Sequence, residues 1–122
     1  MSEIIDLNDL KNEIRNFVSE RDWEQFHSPK NLAMALSVEV SELVEIFQWL
    51  DQEDSKNIME KASKKSNVEE ELADIFYYLL RLSDVLGVDL KAVLKNKIKK
   101  NAEKYPVEKA KGNAMKYNEY NT

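Results

Sequence analysis

The sequence predicts an all-α protein with a four-helix bundle-like core, in which two acidic helices face each other. Three observations carry that expectation. Only two Gly and two Pro interrupt 122 residues, so few positions punctuate the chain. Long runs rich in Glu, Lys, Leu and Ala favour helix. Apolar residues recur at three- and four-residue spacing, as on the buried face of an amphipathic helix.

Met1 to Ile5 reads as a frayed start. Asp6 or Asn8 can cap a first helix running to about Glu20, with Leu7, Leu10, Ile14, Phe17 and Val18 on its apolar face. Arg21 to His27 has no clean period and reads as a loop or irregular turn. Ser28-Pro29 is a helix entry, with Ser28 as cap and Pro29 in the first turn. The second helix is expected from Pro29 to Leu50. Asp51 to Asp54 breaks it, and a short helix follows from Ser55 to about Lys64. Asn67 is expected to cap a third helix from Val68 to Leu86, ended by Gly87 in a left-handed conformation. Asp89 caps a fourth from Leu90 to Lys104. Tyr105 precedes Pro106, which places a boundary there. From about 106 to 122 the chain reads as a polar tail or loop. No linker divides it, so a single domain over residues 1–122 is expected.

Charge and composition narrow the function. The formal net charge is −5, which argues against broad binding to a nucleic-acid backbone. Cysteine is absent, which excludes thiol chemistry and thiolate metal sites. His27 is the single histidine, which excludes multi-histidine metal sites. No apolar run approaches a membrane span and the N-terminus lacks a signal-peptide pattern. A cytoplasmic protein with no membrane partner is the expectation.

Two short stretches break the amphipathic pattern. Glu39-Val40-Ser41-Glu42 lies inside the second helix, and Glu71-Leu72-Ala73-Asp74 inside the third. On a helical wheel Glu39 falls in the middle of the stripe formed by Leu32, Leu36, Leu43, Ile46 and Leu50. Glu71 falls between Tyr78 and Leu82. Carboxylates three apart on a helix are neighbours and repel. Burying one without a partner costs several kcal/mol or raises its pKa until it is neutral. Four such groups on apolar faces need a metal ion, Lys or Arg. An oxygen-rich cage free of histidine suits Mg²⁺ or Mn²⁺, above all with phosphate oxygens completing the shell.

Three other readings compete. The carboxylates can be solvated helix edges with loose ion pairs. A di-iron bundle also buries carboxylates on facing helices, but it needs a Glu-x-x-His motif that neither pair supplies. A non-catalytic oligomerisation module would pair the acids with Lys30, Arg81 or the Lys97 to Lys104 run. That last reading does not explain why Glu39 occupies the centre of an apolar stripe.

The run Glu39-Val40-Ser41-Glu42-Leu43-Val44-Glu45-Ile46-Phe47-Gln48-Trp49, followed by Glu70-Glu71-Leu72-Ala73-Asp74-Ile75, resembles the MazG-like all-α nucleotide pyrophosphatases, and most of all the small dCTP pyrophosphatase branch. Arg21-Asp22-Trp23-Glu24-Gln25-Phe26-His27 and Asn101-Ala102-Glu103-Lys104-Tyr105-Pro106 extend the likeness over nearly the whole chain. The resemblance implies a Mg²⁺-dependent enzyme that cleaves a nucleoside triphosphate between its α and β phosphates, in a nucleotide-cleansing role. It implies Glu39, Glu42, Glu71 and Asp74 as metal ligands, with Glu42 or Glu39 activating water. It also implies a homo-oligomer, commonly a tetramer built as a dimer of dimers. A base needs a flat apolar slot, and Trp23, Trp49 and Tyr78 offer stacking faces. His27, in the branch's Trp-x-x-x-His pattern, can stack on a base or hydrogen-bond to its edge. Asn101, Lys104 and Tyr105 match the C-terminal motif, with Lys104 as a phosphate contact; Lys109, Lys111 and Lys116 can close over the phosphates. The chain departs from the branch at Ile14, where the branch carries a histidine. That bears on cytosine preference and leaves the metal site untouched. A pyrimidine deoxynucleotide such as dCTP is the first expectation; dUTP or phosphoribosyl-ATP hydrolysis is the alternative on the same scaffold.

Overall fold

The fold is described from a computed structural model over residues 6–120, and the expected frayed start lies outside that range. Every regular element in it is helical. The chain divides into two compact units, residues 1–87 and 88–122.

In the first unit, α1 spans Leu7–Glu20, and the Asp6 carboxylate accepts from the Asn8 N–H at 2.9 Å. Its far end is closed by two backbone bonds, Trp23 N–H to the Val18 carbonyl and Asp22 N–H to that of Ser19, both 3.1 Å. Asp22 supplies the left-handed residue this closure needs, at φ 56°. The turn delivers Trp23 edge-on to Phe17, and residues 24–26 continue as one turn of 3₁₀ helix.

The second helix, α2, spans Pro29–Phe47, with Ser28 Oγ accepting from the Asn31 N–H at 3.1 Å. It stops short of the expected Leu50. Asp51 caps the next helix, taking the Asp54 N–H at 2.8 Å from an extended backbone, so the chain leaves the α conformation first. That next helix, α3, is Gln52–Lys56, earlier and shorter than the expected Ser55 to Lys64 segment. A 3₁₀ turn, Ile58–Glu60, follows and buries Ile58.

The third expected helix, which carries Glu71 and Asp74, also differs from expectation. Helix α4 runs Ala62–Leu86, so Asn67 sits inside it and caps nothing. Extended Lys61 starts it, and the Lys65 N–H reaches the Lys61 carbonyl at 2.8 Å. Ser63 to Ser66 carry no helix-breaking residue, and Asn67's cap preference yields to a helix already under way. Gly87 ends α4 at φ 69°. Val18, Leu32, Ile58, Val68 and Leu80 form the buried core. The main contact of this unit is α2 on α4, with α1 also against α4. The two acidic helices therefore face each other.

The second unit holds α5, Leu90–Lys104, capped by Asp89, which accepts from the Ala92 N–H at 3.1 Å. The expected tail is partly helical: α6 is Val107–Ala110, and a 3₁₀ turn follows at Tyr117–Glu119. Tyr105 meets both Tyr117 and Tyr120 edge-on at 6.1 Å, which fastens this segment to the end of α5.

Candidate active site

The packing of α2 on α4 brings Glu39, Glu42 and Glu71 together. One carboxylate oxygen from each lies within 4.8 Å of the others, with Glu39 and Glu71 half-buried and Glu42 exposed. Oε2 of Glu39 and Oε2 of Glu71 are shut off from solvent, and neither has a hydrogen-bond partner. Asp74, exposed on α4, stands outside the three-way cluster, but its charge reaches both glutamates. Burial above all, then the neighbouring carboxylates Glu71, Glu42 and Asp74, pushes the Glu39 pKa up to about 7. Burial also raises Glu71; Glu42 and Asp74 push it the same way, while the contact with Glu39 opposes.

Among the described residues no ion pair reaches any of the four acids. Arg81, one of the cations the sequence offered them, is engaged instead by His27 and Asp84. The donor set is all oxygen, negatively charged and partly orphaned, and that fits a hard divalent cation. A cavity of about 380 Å³ opens beside it, lined by Glu42, Glu45, Ile46, Lys64, Asn67, Glu70 and Glu71. From sequence Lys64 only ends the short helix expected from Ser55. The earlier start of α4 carries it into the helix, two turns before Glu71 and on the same face.

The aromatic candidates divide. Rings run edge-on from Trp23 to Phe17 at 5.7 Å, from Phe17 to Tyr77 at 6.2 Å, and from Tyr77 to Tyr78 at 5.0 Å. Tyr78 ends this row beside the acids: its phenol is held above the usual range by burial, then by the charges of Glu39 and Asp74. Trp49, 88% exposed just beyond α2, is not part of the row. His27 is half-buried and accepts a hydrogen bond at Nδ1 from Arg81 Nε–H, 3.1 Å.

Asn101, Lys104 and Tyr105 belong to the second unit. The Asn101 carbonyl accepts from the Tyr105 N–H at 2.8 Å. The Lys104 ammonium lies 5.1 Å from the centre of the Tyr117 ring. Lys104 also lines a cavity of about 600 Å³ with Lys100, Glu103, Pro106, Lys109, Tyr117 and Tyr120.

Comparison with known proteins adds a second line. The profile of the MazG-like family matches residues 34–120. The dCTP pyrophosphatase 1 of Bos taurus is 40% identical over 111 residues, 91% of this chain and 66% of that protein. That of Homo sapiens is 37% identical over 113 residues, 93% of this chain and 66% of that protein. The chain thus spans slightly under two thirds of the length of these relatives. A crystal structure of a pyrophosphatase from Archaeoglobus fulgidus superposes with a TM-score of 0.78 at 39% identity, covering 87% of this chain and 97% of that one.

Proposed function

This chain belongs to the MazG-like family, and we propose on that basis that it is a nucleotide pyrophosphatase, hydrolysing a nucleoside triphosphate to the monophosphate and pyrophosphate. The observation that carries the reading is the convergence of Glu39, Glu42 and Glu71 from two helices, with two orphaned oxygens and no ion-pair partner among the described residues. A structural cluster of acids would be neutralised by Lys or Arg; a cation-holding cluster leaves its oxygens free. Glu39, Glu42, Glu71 and Asp74 would hold the ion, and Mg²⁺ is the first choice, with Mn²⁺ as substitute. When bound, such an ion offsets phosphate charge and polarises the phosphorus–oxygen bonds.

The chain's own groups take the remaining tasks. Water attacks the α-phosphorus, the bridging oxygen leaves with pyrophosphate, and a carboxylate takes the water's proton. Glu42, the solvent-facing member of the cluster, is assigned that proton, with Glu39 beside it. Trp23, Trp49 and Tyr78 are assigned to the base, and His27 to its edge. Lys104 is assigned to the phosphates, and Asn101 and Tyr105, from the same motif, to the substrate. The names of the relatives favour dCTP as substrate. Ile14, where the branch has histidine, keeps dUTP in the test.

A homo-oligomer, with a tetramer as first choice, is part of the proposal. Leu72, Phe76 and Leu79 form a stripe at i, i+4 and i+7 on α4 that one chain leaves exposed, and apolar stripes call for a cover. No described helix is long and apolar enough to cross a membrane, which is compatible with work in the cytoplasm.

Pyrophosphate release from a nucleotide panel, with Mg²⁺ and with chelator, tests the reading. The expected result is Mg²⁺-dependent release, greatest with dCTP. No release from any nucleotide at high enzyme concentration would overturn it.

A further inference from the structure

We propose that Arg81 is a positioning residue, which fixes His27 as a neutral imidazole protonated on Nε2, so that the ring offers a bound base one hydrogen-bond donor and no acceptor. The two residues are 54 apart in sequence and meet at 3.1 Å, Arg81 Nε–H to His27 Nδ1. A guanidinium N–H can only donate. Nδ1 must therefore carry the lone pair, and in a neutral ring the proton then resides on Nε2. An imidazolium would set two N–H groups against each other and two cations side by side.

Arg81 is itself held. It is 8% exposed, and its Nη1 lies 3.7 Å from Asp84 Oδ2. Arg15 of α1 grips the same carboxylate with Nε, 2.6 Å from Oδ2, and with Nη2 on Oδ1. The chain of contacts runs from α1 through α4 to the turn before α2. A guanidinium fastened in this way has one ring nitrogen to meet, and its geometry selects the tautomer. The charged neighbours of His27 are Arg81 and Glu24: burial and Arg81 hold the imidazole below its ordinary range, and Glu24 opposes them.

The consequence concerns specificity, and it rests on the reading above in which His27 meets the base. A donor-only imidazole pairs with a ring carbonyl oxygen or with an unprotonated ring nitrogen, such as O2 or N3 of cytosine. It cannot accept from an exocyclic amine or from the N3–H of uracil.

His27 is the chain's only histidine, so selective ¹⁵N-histidine labelling yields one imidazole. In the wild type we expect a pyridine-type Nδ1 and a pyrrole-type Nε2 at neutral pH, and a pKa below 6.5. A protonated Nδ1 overturns the proposal, and this measurement needs no variant. Arg81→Met keeps an unbranched stem and removes the donors. With its helicity checked by circular dichroism, it should show mixed tautomers and a pKa risen toward 6.5. KM for the best nucleotide should rise in proportion to the fraction of rings no longer protonated on Nε2, about twofold for an even mixture, with kcat little changed. A variant spectrum identical to the wild type overturns Arg81's role. Altered tautomers with an unchanged KM overturn the base-edge role alone. A wild type without turnover on any nucleotide sinks the proposed function and the base-edge role together, while the spectrum still decides the tautomer.

Discussion

Glu39 on α2 and Glu71 on α4 face each other with one buried, unpartnered oxygen apiece. Charge of one sign is gathered there from two helices, and no residue on either helix neutralises it. Without a cation, a proton on Glu39 is the cheapest relief, and its pKa near 7 expresses that.

Stability should therefore fall as pH rises, until a divalent ion is added. The Glu39 pKa is 4.5 ordinarily and about 7 in the fold. A carboxyl raised by folding binds its proton more tightly in the native state. Its penalty is absent below 4.5, grows through the window, and is complete above 7. Glu71, shifted the same way, adds to it. Differential scanning fluorimetry in chelator should show a lower Tm at pH 8 than at pH 5.5. Mg²⁺ should raise Tm more at pH 8 than at pH 5.5; an equal rise at both would contradict a carboxylate site.

Glu39→Gln removes one ligand charge and that group's share of the repulsion. Turnover should fall by about two orders of magnitude or more, since the site would hold its ion more weakly. Far-UV circular dichroism should be unchanged. In chelator at pH 8 the variant should melt above the wild type, because Glu39 no longer has to ionise and only Glu71 keeps that penalty. Wild-type turnover in the variant would remove Glu39 from the ligand set.

Gly87 and Asp22 both occupy left-handed backbone, at φ 69° and φ 56°. A Cβ on Gly87 would meet nothing within 4 Å, so Gly87→Ala should cost about 1 kcal/mol from the backbone alone. Asp22→Gly relieves the same strain and should stabilise by up to about 1 kcal/mol. Urea titrations of the two variants should move in opposite directions from the wild type.

Phe76 lies in the exposed stripe with Leu72 and Leu79. Phe76→Glu should leave the monomer fold intact and break the proposed assembly, since a charge there would be buried by a partner copy. Light scattering after size exclusion should report a smaller species. An unchanged mass would move the interface to another face.

Local events followed from the order of the residues alone. Asp6, Ser28 and Asp89 cap helices because their side chains reach donors two or three residues away. Gly87 ends α4 because only its own φ matters. The paired carboxylates were legible because three-residue spacing on a helix needs no partner to be read, and the family motifs around them are contiguous. Tertiary structure decided the rest. Which oxygens converge depends on the axial register of α2 against α4, and that register drew in Glu39, Glu42 and Glu71 while leaving Asp74 outside the 4.8 Å cluster. Lys64 joined the cavity wall only because α4 begins at Ala62. Arg81, read from sequence as a possible partner for the acids, turns instead to His27 and Asp84. Capping and periodicity act over a single turn, whereas a contact across 54 residues is set by how whole helices pack.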